Sequence, residues 1–240
     1  MTMFPQFDPN VPVQYRALLN AYRHKLRVGP PRKSAAEIPP GADDALLEVK
    51  KSSHEGLAAH AQLKGLGVTG CTQNCLEEIG QLAALESLDL RFPTRITDLA
   101  PLAGLPRLRV LRIESAGQIS DFTPLLDLPA LEVLQFEQCK QLFDLSWITP
   151  LKDRLKVLGL EGSISTDQKI ASFEPLTGFA LEALFTLSCT LKDKSLAPLA
   201  TCPDLYVFDT ARLAPKKEFQ ALEAAKPDLV CNWFDWAIWK

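Results

Sequence analysis

No run in this chain approaches 18 consecutive apolar residues, so no segment reads as a transmembrane helix. The opening stretch, Met1-Thr2-Met3-Phe4-Pro5-Gln6-Phe7-Asp8-Pro9, lacks the charged region and apolar run of a secretory signal, and the expected location is the cytoplasm. Excess positive charge is missing too, since 26 Lys and Arg stand against 29 Asp and Glu. Without a basic stripe that could neutralise many phosphates, nucleic-acid binding by the body of the chain is disfavoured. The fingerprints of serine-hydrolase elbows, phosphate loops, zinc proteases and dinucleotide-binding turns are absent. His24, His54 and His60 have no recognisable relation to a Ser or Cys nucleophile, nor finger-like spacing from the cysteines. The expectation is a protein that is not an enzyme and holds neither metal nor cofactor.

What is present begins with enough apolar residues, 47% of the chain, for one substantial core. Charge is distributed unevenly. Residues 1–33 hold six Lys or Arg against the single Asp8, about +5, while the remainder carries about -8. An acidic body of this kind suits a basic protein partner. The six cysteines, Cys71, Cys75, Cys139, Cys189, Cys202 and Cys231, would suggest disulfides in a short secreted chain, but the expected compartment keeps them reduced.

An internal period organises most of the sequence. The pattern L-x-x-L-x-L recurs as Leu63-Leu66-Val68, Leu85-Leu88-Leu90, Leu108-Leu111-Ile113 and Leu131-Leu134-Phe136. It continues as Leu155-Leu158-Leu160, Leu181-Leu184-Thr186, Leu205-Phe208-Thr210 and a weak terminal Leu229-Asn232-Phe234. Successive starts are separated by 22, 23, 23, 24, 26, 24 and 24 residues. Three positions past each last strand residue stand Cys71, Pro93, Ala116, Cys139, Ser163, Cys189 and Leu213, mostly small residues suited to turning inward. Between strands, Ile96-Thr97-Asp98-Leu99-Ala100-Pro101-Leu102 and Ile119-Ser120-Asp121-Phe122-Thr123-Pro124-Leu125 repeat an I-x-D-x-x-P-L segment. Asp98 and Asp121 are suited to cap a short helical turn, whose first turn tolerates proline; Pro175 and Pro198 repeat that position. Pro106, Pro129, Pro203 and Pro227 stand just before the strand leucines, where extended backbone is expected.

A ladder of this kind over residues 63–240 resembles the leucine-rich-repeat family, whose period is about 20–29 residues, and its convex segments resemble internalin-type bacterial repeats. The resemblance implies an α/β solenoid with about eight parallel strands on the concave face and short helical turns on the convex face. It also implies a protein-binding role. Leucines at positions 1, 4 and 6 cannot be buried by one repeat alone, so stability must come from stacking. Eight strands about 4.8 Å apart give a sheet roughly 35–40 Å long, large enough for a protein partner.

The expected organisation is a basic N-terminal helix and Pro-rich linker over residues 1–44, then the solenoid over residues 45–240 with an aromatic C-terminal cap. Val13, Leu18, Leu19, Tyr22 and Leu26 share one helical face, with Arg16, Arg23, Lys25 and Arg27 mostly opposite. Such a helix either meets a partner or membrane surface, or covers the open edge of the first repeat; a solenoid's need for a cap favours the second. A strand at Ala45 to Val49 and a helix from His54 to Leu63 should lead into the repeats. Trp233, Phe234, Trp236 and Trp239 either form a binding hot spot or seal the last repeat.

Strand alternation assigns the candidate binding residues, because positions 3, 5 and 7 must face the concave surface if positions 4 and 6 face the core, and the candidates are read at positions 5 and 7. Position 5 gives Asp89, Arg112, Gln135, Gly159, Phe185, Asp209 and Trp233, and position 7 gives Arg91, Glu114, Glu137, Glu161, Leu187, Ala211 and Asp235. Glu114, Glu137 and Glu161 stack on adjacent strands, an arrangement that like-charge repulsion disfavours unless a ligand uses it. With Phe185 they form the expected centre of an interface for a basic protein partner, with no nucleic acid or membrane involved and the free protein a monomer. An inhibitor or immunity-type factor is one expected role, and a scaffold or adaptor joining cellular components is the other.

Overall fold

Each frame alternates buried leucines with outward residues, which makes a short strand that cannot cover its own apolar face. In the computed structural model, which describes residues 30–239, the frames become strands stacked in chain order. They are preceded by β1 (Asp44–Glu48) and run as β2 (Gly65–Thr69), β3 (Ser87–Arg91), β4 (Val110–Glu114), β5 (Val133–Glu137) and β6 (Val157–Glu161). After them come β7 (Gln168–Ile170), β8 (Ala183–Thr186), β9 (Cys189–Leu191), β10 (Val207–Thr210) and β11 (Val230–Cys231). The main sheet has nine parallel strands in the order β1-β2-β3-β4-β5-β6-β8-β10-β11. The eight frames supply all but β1, the expected lead-in strand.

Leu88, Leu111, Leu134 and Leu158 are register partners across neighbouring strands, and the row continues through Leu184 to Phe208. All six are completely buried. Each such side chain contributes roughly 1.5–3 kcal/mol by leaving water, which is why the stack forms collectively. Thr186 and Thr210, register partners two residues further along β8 and β10, also point inward and are buried, and their hydroxyls satisfy one another at 2.7 Å.

The convex side is built from 3-10 turns at Ala100–Gly104, Thr123–Asp127, Ser146–Leu151 and Glu174–Leu176. Three short helices join them: α1 (Gln73–Ile79), α2 (Ala197–Ala200) and α3 (Lys216–Ala225). Asp98 Oδ1 accepts the Ala100 N–H at 2.8 Å and Asp121 Oδ1 accepts the Thr123 N–H at 2.9 Å, as their capping role requires. Asp144 repeats the device on the Ser146 N–H at 2.9 Å. Pro101, Pro124, Pro175 and Pro198 stand in first turns, where no N–H is needed.

Several local expectations need correction. Pro106, Pro129, Pro203 and Pro227 open tight turns instead of extending the chain; each is spanned by an i to i+3 bond, such as Leu108 N–H to Leu105 O at 3.2 Å. His54 to Leu63 is not a helix but a string of turns around the 3-10 segment Leu57–Ala59, because Gly56 adopts a left-handed φ of 86°. Pro93 and Ser163 do not turn inward at the small-residue slot, although Cys71, Ala116, Cys139, Cys189 and Leu213 do. The 26-residue repeat inserts a loop after β6, and the slot's work passes to buried Gln168, whose Nε2 donates to Cys139 O at 3.2 Å and Leu142 O at 2.7 Å. The same repeat and its neighbour add the two-stranded β7–β9 sheet, which the frame did not suggest.

Both ends are closed. Arg32 bridges to β1 at Leu47, and the following turn buries Ala35 and Ile38 against the first repeat. The expected basic helix over residues 12–27 lies outside the described residues. At the other end α3 buries Phe219 and Leu222, while Trp233, Phe234, Trp236 and Trp239 pack on the same core. The Trp239 ring sits 5.3 Å from those of Phe219 and Trp233, so these tryptophans seal the stack. Among the described residues, no helix is long and apolar enough to cross a membrane.

Candidate functional site

The candidate site is the concave face of the sheet, where side chains at strand positions 3, 5 and 7 point away from the core. Parallel register brings Glu114 opposite Glu137, and Glu137 opposite Glu161, as strand alternation requires. The three carboxylates are half-buried and not without intramolecular contacts: Glu114 Oε2 accepts the Phe92 N–H at 3.1 Å, and Glu161 Oε2 accepts Gln135 Nε2–H at 2.8 Å. Gln135 Oε1 in turn accepts from Arg112 Nε at 3.1 Å, so Arg112, Gln135 and Glu161 form a polar chain across β4, β5 and β6. On β3, Asp89 Oδ2 accepts both Arg91 Nε and an Arg91 terminal nitrogen at 2.8 Å. Arg91 lies over the space left by Gly67, where an added Cβ would meet its guanidinium at 3.4 Å.

Beyond this polar half, position 3 contributes an apolar half that the reading of positions 5 and 7 omitted. Val133, Val157, Ala183, Val207 and Phe185 form a cluster of their own, with Val110 and Tyr206 packed against it. The signal was present in the sequence, since the same alternation that exposes positions 5 and 7 exposes position 3. Phe185 therefore has the apolar neighbours an anchor needs, and Asp209 lies beside it in register on β10. Leu187 falls one residue past β8 and is half-buried there.

Two predicted members leave the face. β11 ends at Cys231, so Trp233 does not continue the concave row; its Nε1 donates to Thr210 O at 2.9 Å and its ring packs toward Phe219. Asp235 instead caps the last 3-10 turn through the Ala237 N–H at 3.0 Å. Asn232, expected at a core position, stays exposed and pairs with the Thr210 backbone in both directions. The position 5 residues are also less open than expected, because Asp89, Arg112, Gln135 and Phe185 are all buried.

Where the strands end, Ser115, Gln138 and Ser188 take left-handed φ values of 56°, 55° and 48°, turning the chain away from the sheet. The Ser115 hydroxyl donates to Gln138 Oε1 at 2.9 Å, and Gln138 Nε2 donates to Ser163 Oγ. A groove of about 720 Å³ opens along this margin, lined by Phe92, Gln138, Lys140 and Asp167 among others. Cys75, which had no assigned place in the repeat, is instead buried on α1 with Cys71. Burial pushes the thiols of Cys139 and Cys189 up to about 12, as fits packing residues.

The parallel stack, the inward leucine row and the capped convex turns together decide the architecture. The chain is a leucine-rich-repeat solenoid. It is similar to the crystal structure of internalin C2 from Listeria monocytogenes, at 20% identity and a TM-score of 0.50 over 74% of each chain. A second internalin of that organism, inlF, matches at 18% identity and a TM-score of 0.49 over 79% of this chain and 66% of that one. No protein-family model and no curated protein matches the sequence.

Proposed function

We propose that this solenoid is a binding protein that holds a basic segment of another protein on its concave face. The observation that carries the reading is the in-register row Glu114, Glu137 and Glu161 beside the Phe185 and valine cluster. A row of three carboxylates on adjacent strands concentrates negative potential on this face, which a cationic ligand would meet as attraction. An apolar cluster next to the charge supplies the desolvated anchor that charge alone does not. A one-to-one complex through one continuous face suits an inhibitor or immunity-type factor better than a scaffold, which needs a second contact surface.

The test is capture of partners by the tagged full chain from its own cells, compared with the triple variant Glu114→Lys, Glu137→Lys and Glu161→Lys. The expected result is a basic partner retained by the native chain and lost, with slower association, by a variant that still folds. Equal capture by both proteins places the binding site elsewhere.

A further inference from the structure

The margin where the strands end differs in charge from the acidic row it borders. One residue past the inward slot stand Gly117, Lys140, Lys169 and Thr190 in successive repeats, because Lys169 follows the inward Gln168 and pairs in register with Thr190. Arg95, bridged to Thr72, carries the same row back by one further repeat. Arg95, Lys140 and Lys169 are exposed, and none of them forms an ion pair with another described residue. Their charge is left for something outside the fold.

Lys140 and Lys169 line the groove of about 720 Å³ against the single carboxylate of Asp167. The walls of this groove are set by the fold itself. Phe92, just past β3, stands at one end with its N–H given to Glu114 Oε2 at 3.1 Å, yet it keeps 65% of its accessible surface. Thr166 and Asp167 stand at the other, on the loop after β6, which is closed by Ser163 N–H to Thr166 O at 2.8 Å and Ser165 N–H to Ser163 Oγ at 3.2 Å. Between the two walls Gly117 leaves a gap, since a Cβ there would meet only the Lys140 chain at 3.9 Å. A preformed cleft with an uncovered phenyl ring and unspent cations needs little reordering to take a ligand.

We propose that this groove receives an extended acidic segment of another protein, with its carboxylates on Lys140 and Lys169 and an apolar side chain on Phe92. From the end of β3 to the end of β6 are three strand intervals, about 14 Å, which about four extended residues cover. Alternate side chains of such a segment point the same way, so acidic residues two apart meet the row of cations together. A nucleic acid fits less well. It would bring a phosphate with every nucleotide past Glu114 and Glu137, which immediately precede Ser115 and Gln138 of the lining. Because the groove adjoins the glutamate row, a single partner can fill both, but the inference does not rest on what the concave face holds.

The test pans a phage library of random linear peptides against the full chain, with counter-selection on Gly117→Trp, whose indole fills the gap. The sequences retained should carry Asp or Glu two residues apart, beside an aromatic or aliphatic residue. As synthetic peptides they should bind about tenfold more weakly to Lys140→Glu with Lys169→Glu, a variant that keeps native circular dichroism. Their affinity for Glu161→Gln, which alters the concave row alone, should match that for the native chain. The double charge reversal decides the matter even where tryptophan at the glycine disturbs the fold. Tighter binding of a short oligothymidylate than of any selected peptide assigns the groove to nucleic acid and overturns the proposal. So does a library that yields no enriched sequence, unchanged binding to the double variant, or selection of basic peptides that Glu161→Gln weakens.

Discussion

Gly162 illustrates how one residue is held by its neighbours. A Cβ there would press against the carbonyl oxygens of Ser188 and Thr166 and meet Gln168 N at 2.7 Å, all backbone atoms that cannot swing aside. Gly162→Ala should therefore cost about 1–3 kcal/mol through overpacking. Gly117→Ala, whose new methyl would meet only the Lys140 chain at 3.9 Å, should be nearly silent. Urea unfolding of the two variants checks the contrast, and equal midpoints would contradict it. The cysteines give a second prediction at this scale. With their thiols pushed up to about 12, Cys139 and Cys189 should resist a thiol reagent at pH 8 in the native state. Their thiolate population is roughly 10³-fold below that of a free thiol. After denaturation without reductant, close to six thiols should titrate, matching the six free cysteines of the structure; two or fewer would mean disulfides.

At the scale of the element, the convex turns depend on their aspartates. Side-chain hydrogen bonds from Thr123 and Ser146, followed by those from the backbone N–H groups of the same residues, hold the Asp121 and Asp144 carboxyls below their ordinary range. A carboxylate whose folded value is depressed stabilises the fold above its unfolded value of about 3.9. That contribution disappears as pH falls through the folded value. The native chain should accordingly lose urea resistance as pH falls from 5 toward 3. Asp121→Ala with Asp144→Ala should be weaker at pH 7 and show a shallower acid loss. Parallel acid profiles for the two proteins would assign the acid loss to other carboxylates.

For the whole molecule, stability runs along one dimension, because each repeat is buried only by its neighbours. The C-terminal cap should therefore protect nearby strands more than distant ones. Trp236 donates to Glu223 at 3.0 Å and Trp239 to the Trp233 carbonyl at 2.9 Å, tying the tail to α3 and the last turn. Trp236→Ala with Trp239→Ala should raise hydrogen exchange in β10 and β11 well before β4 and β5 change. Uniform acceleration across all strands would instead show a single cooperative unit.

Periodicity by itself determined the solenoid, the inward leucine row, the capped and proline-started convex turns, and the alignment of Glu114, Glu137 and Glu161. These follow from spacing alone, since parallel strands in constant register place equivalent positions side by side. Only the tertiary structure decided what breaks the period. The turn of chain beyond Cys231 sends Trp233 and Asp235 off the concave face, and a loop inserted after β6 gives the inward slot to Gln168 rather than Ser163. It also decided how deeply Arg112 and Phe185 are covered. A repeat records which way each side chain points, but depth depends on what lies above the sheet, and the length of a loop does not say which residue turns back into the core.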